Sequence, residues 1–446
     1  MNFAAWLRAS ITILALQLAS ADALADEGPN ATPVSLGAML AHADEHAPRM
    51  LVARAELELG QAAVDGASVV LPRNLRAGAA AGPRIAEGQR GVDFTVWLAQ
   101  PIEIAGERKQ RRQTAAKFQD LTAKELQETQ WLVHREVHAA FHTALVARER
   151  WLVVKKLLVS TEELLSVAER RLQAGDISPL QVRLAEAELA QAQQKSLTAE
   201  RGYRSAQLVL SEVSGWPPTP LPEPVGALDE PLRAPPLQEL LQLASRQHPG
   251  IAARASAVEE AEARMQLENR EAWPEPSLGV TYTRESLPIS GLHEHIIQGT
   301  IALPIPSSQR NQAGRSRARA ALGVRRAEQQ AFVQALRARL TRAAMSVDAD
   351  ANRIAAYGTE ILPAFEGNLS LLRRAFELGE VDLLQVLVAR ERLLRMQQDA
   401  LTAHQDYYRD VAALEAVAAL EAEVGTEVWP DEHHEHAGDA GGHDDE

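Results

Sequence analysis

A chain of 446 residues is long enough for two or three ordinary domains. Its Ala-, Leu-, Glu-, Gln- and Arg-rich composition, with only 4% aromatic residues, is instead that of long helices packed side by side. A formal charge of -14 argues against a nucleic-acid partner, and the absence of cysteine removes disulfides and lipid attachment through an N-terminal Cys.

The chain begins as an export signal over residues 1–25. Arg8 supplies the positive start, ITILALQLASADALA from Ile11 the apolar stretch, and Ala23-Leu24-Ala25 the cleavage site. No later window offers the ~18 apolar residues of a transmembrane helix. Any membrane crossing is therefore made by strands.

Two copies of one plan follow, a first repeat over 26–213 and a second over 237–428. Leu36 to Pro72 and Leu237 to Pro274 each read as a helix, with Pro48 and Pro249 at matching places. After each comes a β-hairpin signal. Strands are expected over Leu75 to Gly82 and Val92 to Ile104, then Ser277 to Arg284 and Ile296 to Ile305, with turns in PRIAEGQRG and ESLPISGLHEH. Val92, Phe94, Val96 and Leu98 alternate with Asp93, Thr95, Trp97 and Ala99, which gives one apolar and one mixed face.

A long helical tract succeeds each hairpin, about Gly106 to Ala174 and about Ala313 to Leu378. At 1.5 Å per residue, roughly 65 to 70 helical residues reach about 100 Å, which no globular core needs. Leu145 and Leu152 lie seven apart, as do Leu158, Leu165 and Leu172, so the tract carries a coiled-coil seam. Return helices, Pro179 to about Val213 and Leu383 to about Val424, would fill it.

Between descending and returning helices the chain writes one phrase twice, RRLQAGDISPLQV from Arg170 and RAFELGEVDLLQV from Arg374. Gly175 and Gly379 sit where a helix end wants a left-handed residue. Ser178 and Asp382 sit where the next helix wants an acceptor, Pro179 takes the first helical position, and Gln181 and Gln385 complete capping-box spacing. Turn chemistry explains the glycines and caps. The recurrence of Arg170 and Arg374 points further, to a docking surface.

WPPTPLPEPVGALDEPLRAPP from Trp216 marks residues 214–236 as an extended connector. Histidines provide the metal-chemistry clues. His134, His138 and His142 share one helical face, and His42 and His46 have the same spacing; the competing reading is of polar positions in an interhelical seam. The HEH of residues 293–295 falls in the second hairpin turn. The tail, 429–446, holds His433, His434, His436 and His443 with seven carboxylates and no Lys or Arg. Those are ligands for borderline divalent ions on a segment too polar to fold, and a solvated acidic tail is the alternative.

Strands of about ten residues fit a tilted bilayer crossing, and open edges are not tolerated in lipid. Four strands cannot close a barrel that begins at about eight, but three copies give twelve. The expected fold is mostly α with a small β part: a trimeric α-barrel of long coiled-coil helices plus a 12-stranded membrane β-barrel, four strands per chain, with internal duplication.

From Leu36 to about Gly425 the chain resembles the TolC-like outer membrane efflux protein family. QPIEIAGERKQRR from Gln100 and LPIPSSQRNQAG from Leu303 are most similar to its heavy-metal, cobalt-zinc-cadmium branch. The resemblance implies a homotrimeric passive duct in the outer membrane lipid of a Gram-negative bacterium, extending into the periplasm. It receives substrate, here divalent heavy-metal cations, from a periplasmic adaptor and an inner-membrane resistance-nodulation-division pump. It implies no enzyme activity and no cofactor. Carried over to this chain, the adaptor-docking tip is Arg170, Leu172, Gly175, Asp176, Ile177 and Ser178 with Arg374, Phe376, Gly379, Glu380, Val381 and Asp382. Relatives carry acidic residues shortly into the second return helix; Gln385 and Val388 stand there, so a carboxylate gate lacks its residues. Export of drugs or other small molecules is one alternative. A soluble periplasmic metal-buffering coiled-coil protein is another, which leaves the four strands idle.

Overall fold

The computed structural model describes residues 32–418, apart from 87–88, 229–230, 232 and 288–291. The expected export signal and the tail with His433, His434, His436 and His443 lie outside the described residues.

In chain order the elements are β1 (Thr32–Val34), α1 (Leu36–His46), α2 (Pro48–Ala67), β2 (Arg76–Ala86), β3 (Gln89–Pro101), α3 (Glu107–Ala174) and α4 (Pro179–Ser214). They continue with β4 (Pro222–Pro224), α5 (Leu237–Gln247), α6 (Pro249–Arg270), β5 (Ser277–Leu287), β6 (Leu292–Ala302), α7 (Gln312–Ala356), a π-helical turn (Tyr357–Ile361), α8 (Leu362–Glu377) and α9 (Leu383–Ala418). The chain divides into two compact units. Among the described residues one draws on 32–51, 130–244 and 339–418, the other on 52–129 and 245–338.

Each helix expected over Leu36 to Pro72 and Leu237 to Pro274 is two helices. A residue before proline is driven out of the α region, and Ala47 (ψ 132°) and His248 (ψ 117°) take extended conformations ahead of Pro48 and Pro249. The second long tract is interrupted as well. Pro363 has no N–H to give Thr359, and the Leu362 amide bonds back to the Tyr357 carbonyl, opening one wide turn. In the first tract, α3 runs unbroken for 68 residues. Its fully buried positions include Val133, Val137, Ala144 and Leu145, whereas Leu152, Leu158, Leu165 and Leu172 are only half-buried. The burial seam is thus carried by small and β-branched residues more than by the leucine heptad.

The second unit holds an antiparallel sheet in the order β2-β3-β5-β6. Its hairpins are longer than expected at the turn end, because pairing runs on through Arg84↔Gly91 and Arg284↔His295. Arg84 reaches Asp93 (2.9 Å) and Glu285 (2.7 Å), and the Tyr282 hydroxyl meets His295 Nδ1 at 2.7 Å. His293 and His295 therefore belong to β6 and not to a turn. At the other end the strands stop at Pro101 and Ala302, short of Ile104 and Ile305, with one further bond from the Ile102 amide to the Pro276 carbonyl (2.9 Å).

Register gives the sheet two chemically different faces. Val96 faces Tyr282, Leu98 faces Val280, and beyond them Ile297 and Ile301 extend a contiguous apolar face. Asp93, Thr95 and Thr283 lie on the other, with Thr95 and Thr283 hydroxyls 3.3 Å apart. Among the described residues β2 and β6 are the edge strands. Among the described residues no helix is long and apolar enough to cross a membrane.

The Pro-rich connector is docked within the first unit. Its β4 pairs in parallel with β1, Gln207 donates to the Pro222 carbonyl (2.9 Å), and Arg148 donates to those of Pro224 (2.6 Å) and Gly226 (2.8 Å).

Candidate functional site

The repeated phrase folds into two tight turns with one backbone geometry. Gly175 and Gly379 both have φ +83°. The Gly175 amide donates to Leu172 O (3.0 Å) and Asp176 to Arg171 O (2.9 Å); Gly379 donates to Phe376 O (3.1 Å) and Glu380 to Ala375 O (2.9 Å). These are paired Schellman closures, which satisfy the last carbonyls of α3 and α8 and reverse the chain into α4 and α9.

The capping expectation holds only in part. Ser178 occupies the N-cap in extended conformation (ψ 155°) with Pro179 following, yet its side chain makes no cap bond. Gln181 does not turn back to its own cap; its amide donates to Asp382 Oδ1 (3.1 Å) across the two turns. Arg171 makes a second crossing, donating to the Phe376 carbonyl (2.6 Å) with its guanidinium 4.8 Å from the Phe376 ring centre. Arg373 and Glu163 make a third at 3.2 Å. Reading by recurrence passes over Arg171 because its counterpart is Ala375; its only sequence signal is the Arg-Arg pair itself.

The predicted tip residues separate by burial. Phe376 (1% exposed) and the half-buried Leu172, Ile177 and Val381 pack with Ala168, Val182, Ala185, Leu383 and Val386 in one apolar cluster beneath the turns. Arg170, Gly175, Asp176, Ser178, Arg374, Gly379, Glu380 and Asp382 remain exposed above it. Arg170 bonds only locally, to Ser166 Oγ at 2.8 Å. Leu180 (77% exposed) and Leu384 (59%), equivalent positions just past each turn, add an apolar element that the sequence reading left out. The site offers shape, carboxylates and exposed leucines, the features of a recognition surface.

The candidate histidines occupy a helical seam. His134 Nε2 bonds Asp44 Oδ1 (2.7 Å), His42 stacks on His46 (4.2 Å), and His142 stacks on Tyr408 (4.0 Å). His138 faces Glu415 at 3.7 Å without a hydrogen bond. Among the described residues no three His or acidic side chains form a metal-ligand group. The seam reading accounts for these contacts.

Burial pushes the Glu415 carboxyl up to about 7, and burial together with the neighbouring His142 pushes the His138 imidazole down to about 3. The raised carboxyl costs stability as pH rises from 4.5 to about 7. The lowered imidazole costs stability as pH falls from 6.5 to about 3. Between these limits the slopes oppose, so wild-type stability should stay level from pH 4.5 to 6.5. In Glu415→Gln the imidazole slope of this pair is left unopposed, and the unfolding free energy from denaturant titrations should climb across that window by ~1–3 kcal/mol.

Similarities to known proteins bear on this arrangement. The family model described as outer membrane efflux protein matches residues 39–215 and 240–420. The cobalt-zinc-cadmium resistance protein CzcC of Cupriavidus metallidurans is 26% identical over 304 residues, 66% of this chain and 69% of that one. Solved structures share the fold, two of them as follows. That of CusC, described in terms of transmembrane channel formation, has a TM-score of 0.70 at 16% identity, covering 86% of this chain and 91% of the other. A membrane protein from Pseudomonas aeruginosa has a TM-score of 0.71 at 18% identity, covering 86% and 92%.

Proposed function

We propose, from the premise that the chain belongs to the outer membrane efflux protein family, that it is the outer-membrane conduit of a three-part system exporting divalent heavy-metal cations. The protein is an outer membrane efflux channel reaching into the periplasm, and it is not an enzyme. The observation that carries the conduit reading is the four-stranded sheet with one apolar face, one mixed and more polar face, and two open edges among the described residues. Open edges in lipid leave backbone groups unsatisfied. Three copies, joined edge to edge, would close twelve strands with the apolar face to lipid and the polar face to the lumen. The repeats over 26–213 and 237–428 then supply two equivalent sectors of the wall from each chain.

Exposed Arg170, Gly175, Asp176, Ser178, Arg374, Gly379, Glu380 and Asp382 form the surface on which a periplasmic adaptor, itself bound to an inner-membrane resistance-nodulation-division pump, would dock. Leu172, Ile177, Phe376 and Val381 hold that surface in shape from below. The likeness to CzcC supports divalent cations as cargo, and the His433, His434, His436 and His443 tail would collect them loosely.

A strain deleted for this gene should lose tolerance to one or more of zinc, cobalt, cadmium and nickel, and regain it on complementation. Unchanged tolerance to all four, with altered drug tolerance, would reassign the cargo. Recovery of the protein from the periplasmic extract as a monomer, instead of from outer membranes as a heat-modifiable trimer, would remove the conduit reading itself.

A further inference from the structure

Just after β3, in the second unit, lies a cavity of about 340 Å³ whose walls include Arg73, Glu103, Glu107, Arg111, Glu271 and Glu275. Four carboxylates face two guanidiniums. Arg73 reaches Glu275 at 3.3 Å and Arg111 pairs with Glu103, so Glu107 and Glu271 have no ion-pair partner among the described residues. Glu107 is 3% exposed. Its Oε2 accepts from the Ala105 amide at 2.8 Å, but Oε1 has no hydrogen-bond partner. Glu103 Oε2, from another residue of the cavity wall, is unpaired too. Against these two buried carboxylate oxygens the one buried unpaired donor among the wall residues is Arg111 Nε.

Buried polar atoms left without partners are costly, and uncompensated buried carboxylates more so. The shortfall here is of positive charge and of donors together. A hydrated metal ion supplies both, charge from the ion and O–H donors from its water. Every donor atom lining the deficit is oxygen, the set preferred by hard cations and not by zinc, cobalt or cadmium. No three acidic side chains converge for direct ligation among the described residues, so part of the ion's water shell must stay in place.

We propose that this cavity binds a hydrated hard divalent cation, Mg²⁺ or Ca²⁺, with Glu107 as its principal carboxylate and Glu271 at its mouth. The ion neutralises the excess negative charge where the sheet gives way to α3. It is a resident ion and not exported cargo, so this assignment stands or falls separately from the export reading.

The test uses full-length protein stripped of metal. Ca²⁺ or Mg²⁺ at millimolar concentration should raise the melting temperature by several degrees, and Na⁺ at equal ionic strength should not. Terbium(III), a luminescent hard-cation probe, should emit on tryptophan excitation and be displaced by Ca²⁺. Trp273, two residues from both Glu271 and Glu275, should serve as sensitiser, so Trp273→Phe dims emission while leaving the Ca²⁺ melting shift intact. Glu107→Gln should weaken Ca²⁺ binding at least tenfold and should raise the melting temperature of the metal-free protein by relieving repulsion. Glu271→Gln, at the open mouth, gives the same readout if Glu107→Gln does not fold. The acidic tail is intact in every variant and contributes a constant background. A Ca²⁺ shift that Na⁺ reproduces, or one that survives unchanged in both Gln variants, would overturn the assignment.

Discussion

Replacing Phe376 with alanine is expected to cost ~3–5 kcal/mol at the paired turns, the range for deleting a fully buried aromatic ring. The ring is 1% exposed and sits in the cluster with Leu164, Ala168, Val182, Leu383 and Val386. It is also the surface on which the Arg171 guanidinium rests, a contact of ~0.5–2 kcal/mol, so the loss extends to one of the ties between the turns. Hydrogen exchange over residues 369–387 should speed up well before the rest of the chain melts, and limited proteolysis should cut first near Gly379. Phe376→Leu keeps most of the apolar volume and should sit between wild type and alanine. Unaltered exchange in Phe376→Ala would mean that the cluster does not hold the turns.

The double variant Gly175→Val, Gly379→Val should abolish export while leaving the outer-membrane protein in place. A side chain at φ +83° costs ~1–2 kcal/mol per residue, more when β-branched, so both Schellman closures would open. The two sites differ in a useful way. A Cβ at Gly175 meets nothing within 4 Å, whereas one at Gly379 comes within 3.3 Å of Arg171 Nη2. The first tests backbone geometry alone; the second also disturbs the Arg171 crossing. Metal tolerance should fall to that of the deletion strain, with heat-modifiable migration retained. Tolerance equal to wild type would take the docking role away from this surface.

The sequence made much of this architecture legible because its signals are local. Pro48 and Pro249, the alternation from Val92 to Leu98, and Gly175 and Gly379 each express a backbone requirement within a few residues. What stayed hidden depends on partners distant in the chain. Gln181 fits a capping box by spacing, yet its acceptor is 201 residues away on Asp382. Arg171 has no echo in the second copy, so comparison of the two phrases could not reveal it. Phe376 and Ile177 look like exposed docking residues when read from a turn outward, and only packing shows that they face down. The hairpin turns are shorter than their sequence suggests, because polar residues such as Arg84 and Glu285 read as loop, whereas cross-strand ion pairs keep them in the ladder. The excess of acceptors around Glu107 was not foreseeable from spacing, since Glu271 and Glu275 come from the other half of the chain.

The pairing of β3 with β5 sets a timetable for biogenesis. Phe94 lies opposite Arg284, so the central seam cannot form until nearly two hundred further residues have emerged. Contacts of such sequence separation form slowly. The early β2-β3 ribbon, with Ile85 and Val92 facing outward, must wait with its greasy flank uncovered. Chaperones that shield nascent strands should therefore be required mainly during that interval, and a chain cut between Pro101 and Ser277 should aggregate instead of inserting.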